Sequence, residues 1–146
     1  MRITMIVGVV CLLIYGCNTT ARTNRQTLKK IPTTLLGRFK DDYSSSYKIT
    51  PNEWTQGKNI KYHLLLYNPT DNYIIAKNDE ANPSDAGLFT RIDIMYFENM
   101  DSWQWGFCLT AFKAKSVEEA INTVSADRSN PRKGCNGYPF SRMKPQ

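Results

Sequence analysis

From Leu35 to Phe112 the chain is cut into strand-length runs by turn residues, and that punctuation limits the fold more than any other feature. LLGRFKDDY and SSYKIT flank Ser/Tyr/Asp turn residues, and Pro51-Asn52 closes the second run. IKYHLLLY and NYIIAKN are separated by NPTD, whose proline and Asp/Asn content suits a tight connection. ANPSDAG reads as a loop, LFTRIDIMYF as a strand rich in β-branched and aromatic residues, and ENMDS as the turn into WQWGFCLTAF. These runs predict a mainly β fold: an antiparallel meander of about six strands, forming a small open or partly closed barrel.

Alternation within the last run assigns its faces. Trp103, Trp105, Phe107, Leu109 and Ala111 share the expected core side, and Cys108 points outward to whatever covers the sheet. A cover follows at once. Ser116 and Glu119 have capping-box spacing, and Val117, Ala120, Ile121 and Val124 make one stripe of a short helix. Beyond Ser125, ADRSNPRKGCNGYPFSRM is dense in Asn, Pro and Gly and reads as an irregular tail.

The N-terminus carries an address. Arg2 precedes an apolar stretch from Ile3 to Tyr15, the length of a secretory signal core and too short to span a bilayer as a helix. Leu13-Ile14-Tyr15-Gly16-Cys17 resembles a bacterial lipobox, with an aliphatic residue at −3, a small one at −1 and then cysteine. Tyr15 at −2 departs from the usual small or aliphatic residue. The resemblance implies a signal peptide over 1–16, diacylglyceryl transfer to Cys17, and cleavage that leaves Cys17 as the new N-terminus. An exported chain without lipid and a retained anchor are the other readings. Two or more acyl chains anchor firmly, since each buried methylene contributes about 0.8 kcal/mol. Residues 17–30 then form a polar tether carrying Arg22, Arg25, Lys29 and Lys30, followed by a single β-rich domain over 31–146. These cations either add attraction to an anionic membrane or simply keep the tether soluble.

Export bears on the cysteines. Cys11 leaves with the signal segment and Cys17 is lipidated, so Cys108 and Cys135 are the remaining thiols. An oxidising compartment favours pairing them, which would contribute roughly 3.5 kcal/mol on the chain-entropy model. The rival reading makes Cys108 a catalytic thiol served by His63.

The formal charge of +6 invites a nucleic-acid reading, but residues 31–127 hold nine Lys/Arg against thirteen Asp/Glu. The excess lies in the tether and in Arg128, Arg132, Lys133, Arg142 and Lys144, at the ends rather than among surface aromatics. No nucleic-acid partner is expected.

Gly37-x-Phe39 before a meander resembles the G-x-W opening of lipocalin-like barrels, with phenylalanine in place of tryptophan. GRFKDDY, YIIAKND, LFTRIDIM, WGFCLTAF and GCNGYPFSRM resemble elements of small uncharacterised exported proteins of Bacteroidetes-type bacteria. That resemblance implies a common fold and a paired Cys108–Cys135, and brings no activity.

Other residues invite chemistry. His63 is the only histidine, and one imidazole without a second ligand makes no zinc site. Asp41-Asp42 sits at a turn, where adjacent strand residues diverge and make a poor acid–base couple. Arg91 and Asp93 share a strand face and read as a structural ion pair. No nucleophile elbow, phosphate loop, metal motif or cofactor motif is present. Trp54, Trp103 and Trp105, with eight tyrosines, exceed the obvious needs of a small core, and some are expected on a concave ligand face. The expectation is a non-enzymatic lipoprotein of the cell envelope, held by its acyl anchor and binding a small ligand or envelope partner. Asn18 after the anchor leans toward the outer membrane, with the domain in the periplasm or at the surface. The alternatives are a hydrolase-like enzyme using Asp93 or His63, and a structural or inhibitor-like envelope protein.

Overall fold

The computed structural model describes residues 30–146. The signal segment, Cys17 and the tether through residue 29 lie outside the described residues. Eight strands run in chain order around a closed antiparallel barrel. They are β1 (Gly37–Asp41), β2 (Ser46–Ile49), β3 (Glu53–Gln56), β4 (Ile60–Asn68), β5 (Tyr73–Asn78), β6 (Phe89–Tyr96), β7 (Trp105–Ala114) and β8 (Ser141–Pro145). One helix, α1 (Val117–Asn122), lies between β7 and β8.

Two strands beyond the six expected, β3 and β8, turn an open meander into a closed barrel. β3 is the four-residue stretch Glu-Trp-Thr-Gln, paired to β2 through Ile49–Trp54 and to β4 through Trp54–Tyr62. β8 lies in the segment expected to be irregular. It pairs with β7 through Trp105–Met143 and with β1 through Asp41–Met143, closing the sheet. Closure gives the last strand two partners, and the sheet has no unpaired terminal strand.

Aromatic side chains fill the interior. Phe39, Tyr47, Trp54, Trp105 and Phe107 meet edge to face, with ring centroids 5.0–6.1 Å apart. Ile49, Ile74, Ile92, Ile94 and Met143 complete this core, and Ile31 and Leu35 plug the end opposite the β1–β2 turn. An eight-stranded barrel is just wide enough for its side chains to fill, or to hold one small ligand. Here the rings take the space.

Alternation fails along β4. Its register with β5 shifts between Leu64 and Leu66, so one residue is bulged. Simple alternation from His63 would put Tyr67 outside with it; the bulge turns Tyr67 into the core and Leu66 out under α1.

The helix starts where its capping box places it. Ser116 Oγ accepts the Glu119 N–H at 3.1 Å, while the Glu119 carboxylate accepts the Lys115 N–H at 2.8 Å. Thr123 is extended and ends the helix, so Val124 leaves the stripe and is 86% exposed. Ala120, Val117 and Ile121 pack with Tyr73, Ile75 and Leu66 on the outer wall of the barrel. Among the described residues, no helix is long and apolar enough to cross a membrane.

Candidate functional site: a groove at the barrel mouth

β8 leaves β7 early. Their last paired residues are Phe107 and Ser141, and from Cys108 onward β7 pairs only with β6. The tail covers what β8 leaves open. Cys108 and Cys135 are disulfide-bonded, with Cα atoms 5.4 Å apart, and Asn136 Nδ2 donates to the Leu109 carbonyl at 3.2 Å. Cys108 points outward, as the alternation predicts, into a small cluster with Ala126 and Phe140. Its sulfur is committed to Cys135, so it is not a thiol available to His63.

Between this tail, the β1–β2 turn and the distal half of β7 lies a groove of about 750 Å³. Tyr47 and Phe107 from the core reach its floor, and Gln56, Asn136 and Ser141 offer polar groups along it. Tyr43, Phe112 and Tyr138 stand on its rim, at 65%, 43% and 73% exposure. These are three of the five large apolar side chains exposed among the described residues. They converge on one depression.

Each rim residue is held by identifiable bonds. The Asp41 carboxylate accepts the Tyr43 and Ser45 N–H groups at 2.9 and 2.7 Å, folding the β1–β2 turn and carrying Tyr43 outward. Its other oxygen accepts the Tyr47 hydroxyl at 2.7 Å. Burial, then this carboxylate, holds the Tyr47 hydroxyl far above the usual phenol range, so it stays a donor. Asn136 and Gly137 have φ of 51° and 89°, the left-handed pair of a two-residue turn. Cys135 and Tyr138 exchange both backbone hydrogen bonds across it, at 3.0 and 2.8 Å. The disulfide thus pins a miniature hairpin that presents Tyr138. On β7, the Phe112 carbonyl is bonded by Asn78 Nδ2 at 3.1 Å.

A second groove, of about 570 Å³, lies across the ridge formed by Tyr43 and Pro139. Phe97, Met100, Arg132 and Arg142 line it.

The tryptophans expected on a ligand face are placed elsewhere. Trp54 and Trp105 are 1% exposed and belong to the barrel interior. β7 begins at Trp105, so Trp103 is not on its core face. Trp103 lies outside, with Arg142 Cζ 5.2 Å and Lys144 Nζ 4.9 Å from its ring centroid. Tyr43 and Tyr138 carry no periodic signal because they are single tyrosines in turn-rich segments, and Phe112 lies beyond the point where β8 leaves β7. The Asn136-Gly137 pair is the one signal that marks the Tyr138 hairpin.

The acid–base candidates lie apart from the groove. Asp93 is fully buried outside the barrel and accepts hydrogen bonds from Arg91, Thr110, Arg128 and the Ala126 N–H. Arg91 also donates to the Ile121 and Thr123 carbonyls at the end of α1. This is the expected Arg91–Asp93 pair, enlarged into a network. His63 Nε2 lies 2.7 Å from Asp79 Oδ2 on the outer face of the barrel. The Ala81 N–H, then His63, holds the Asp79 carboxyl below its ordinary value. Neither His63 nor Asp93 lines either groove. Among the described residues, no three His, Cys, Asp or Glu side chains cluster as a metal site. No family model, no curated protein and no solved structure matches this chain.

Proposed function

We propose that this chain is an exported lipoprotein, anchored through Cys17, whose barrel is a non-enzymatic binding module with its ligand site at the aromatic-rimmed mouth. The observation that carries the reading is the convergence of Tyr43, Phe112 and Tyr138 on one groove floored by Tyr47 and Phe107. Exposed aromatic rings around a depression supply flat apolar contact, and Gln56, Asn136 and Ser141 supply donors and acceptors. The matching ligand is small, with an apolar face and hydroxyl or amide groups at its edge; a saccharide has this character. Anchoring through Cys17 rests on the lipobox resemblance and on the absence of any Asp or Glu before Asp41, which leaves a basic, polar tether.

The hydrolase alternative has less support. Asp93 spends its carboxylate on two arginines and further donors, and the His63–Asp79 pair lines neither groove.

Two measurements test the proposal. Cells labelled with palmitate should incorporate it into the parent chain and not into Cys17→Ala; equal labelling rejects the anchor. A library of small glycans and amphipathic metabolites should be screened by calorimetry. Any true ligand should lose about ten-fold or more in affinity in Tyr138→Ala, equivalent to a lost stacking contact of about 1.4 kcal/mol. Ligands bound equally by Tyr138→Ala, Tyr43→Ala and the parent would place binding elsewhere.

A further inference from the structure

Barrel closure brings distant cations together. β8 carries Arg142 and Lys144, and it pairs beside β1, which carries Arg38 and Lys40. Lys144 lies directly opposite Lys40. On the other side of β1, Arg38 lies directly opposite Lys48 of β2. The alternate residues Phe39, Asp41, Tyr47 and Met143 are buried inward, so these cations share the outer face. Arg142 is paired with Asp42 at 2.9 Å. Among the described residues, Arg38, Lys40, Lys48 and Lys144 make no ion pair. The segment before β1 cannot neutralise them, because it contains no Asp or Glu.

Like charges directly opposite on neighbouring strands are destabilising. Two such pairs, side by side on three adjacent strands, are a cost that folding alone does not require. A partner of opposite charge removes it. The strands of this face carry no exposed aromatic ring for stacking bases, and the one ring beside it, Trp103, already lies against Arg142 and Lys144. Its chemistry is that of flat, distributed positive charge.

We infer that the β8–β1–β2 face is an electrostatic docking surface for an anionic lipid bilayer, with Arg38, Lys40, Lys48 and Lys144 as its unpaired cations. The inference rests on the anchored reading for its setting in the cell. Twelve residues lie between Cys17 and Lys30, and β1 begins seven residues after Lys30, so an anchor at Cys17 is close in sequence to this face. The tether cations point to the same partner. An acylated terminus would keep the barrel near the headgroups, and the basic face would then orient it. Each cation near an anionic surface raises affinity about five-fold.

The test separates the face from the anchor. The exported chain with Cys17→Ser, which cannot be acylated, is mixed with phosphatidylcholine vesicles containing or lacking roughly 30% phosphatidylglycerol. It should bind only the anionic vesicles, and binding should fade between about 0.05 and 0.5 M salt. Arg38→Gln/Lys40→Gln/Lys48→Gln should lose about 100-fold in affinity. Lys113→Gln/Lys115→Gln/Lys133→Gln removes the same charge away from β8, β1 and β2 and should stay within about three-fold of the parent. The face variant should melt no lower than the parent, because both like-charge pairs are relieved; lost binding then cannot be ascribed to unfolding. Equal losses in the two variants would overturn the inference, as would unchanged binding in the face variant. Binding to heparin or DNA in place of anionic vesicles would also overturn it. Failure of palmitate labelling beside a positive vesicle result would reject the anchor and leave the face standing.

Discussion

The inside of the barrel and the outer wall of its β5–β6–β7 strands are both closed to solvent, and different forces hold them. Inside, aromatic rings meet edge to face, and the surroundings are so apolar that Trp105 Nε1 finds no acceptor. Outside, a buried carboxylate is the centre. Asp93 is 0% exposed, with Arg91 and Arg128 Nη2 atoms at 3.1 and 2.9 Å and the Thr110 hydroxyl at 2.7 Å. Arg128 also reaches the Ile94, Asp71 and Asn72 carbonyls, and Arg91 caps the end of α1. The interior relies on close-packed volume, and the outer layer on complete polar satisfaction. This difference explains where the groove lies. A barrel filled with rings has no room for a ligand, so the concave surface forms where the second layer fails to cover the mouth.

The comparison can be broken by damaging each layer in turn. Trp54 contacts Tyr47, Trp105 and Phe107, so Trp54→Ala opens a void that neighbouring strands cannot collapse into. Chemical denaturation should show a loss of about 4–5 kcal/mol. A loss near 1 kcal/mol would mean that the interior is loosely filled and open to a ligand.

Asp93→Ala strikes the other layer and should cost about 4 kcal/mol, because it leaves two guanidinium groups without their carboxylate. Its signature is non-additivity. Asp93→Ala/Arg128→Ala should lose less than the sum of the single losses, since the partners act as a unit. Trp54→Ala should add to either of them almost fully. Additive behaviour between Asp93 and Arg128 would dissolve the distinction between the layers.

The same distinction decides what could be read from the sequence. The β4–β5 hairpin and the β6 and β7 strands were legible because their side chains alternate or run continuously apolar. The disulfide and the N-cap of α1 were legible because a thiol pair and a capping box are local chemistry. β8 was not, because Ser-Arg-Met-Lys-Pro offers only Met143 to the core, and its pairing with β1 joins residues at opposite ends of the chain. β3 was hidden by its length and by the Pro51-Asn52 turn before it. The groove and the basic face both depend on β8, so neither could be seen without it. Read along the chain, Lys40 and Lys144 are far apart; on the barrel they are direct neighbours.

His63 and Asp79 form a third situation, a hydrogen-bonded contact open to water, and it should respond least. The Asp79 carboxyl is held below its ordinary 3.8 first by the Ala81 N–H and then by His63. A carboxyl depressed in the folded chain adds stability above its unfolded value, and that contribution is lost as pH falls through the folded one. Asp79→Asn should therefore melt about two degrees below the parent at neutral pH, a small shift for a solvent-screened pair. The gap should close as the solution is acidified below the ordinary carboxylate range, where the depressed parent carboxyl finally takes up its proton. A gap that persists at about pH 2 would assign the effect to the turn geometry of residues 79–82 rather than to charge. A gap as large as that of Asp93→Ala would show that the outer face shares the buried network's energetics, and the division into packed interior, polar layer and wet surface would fail.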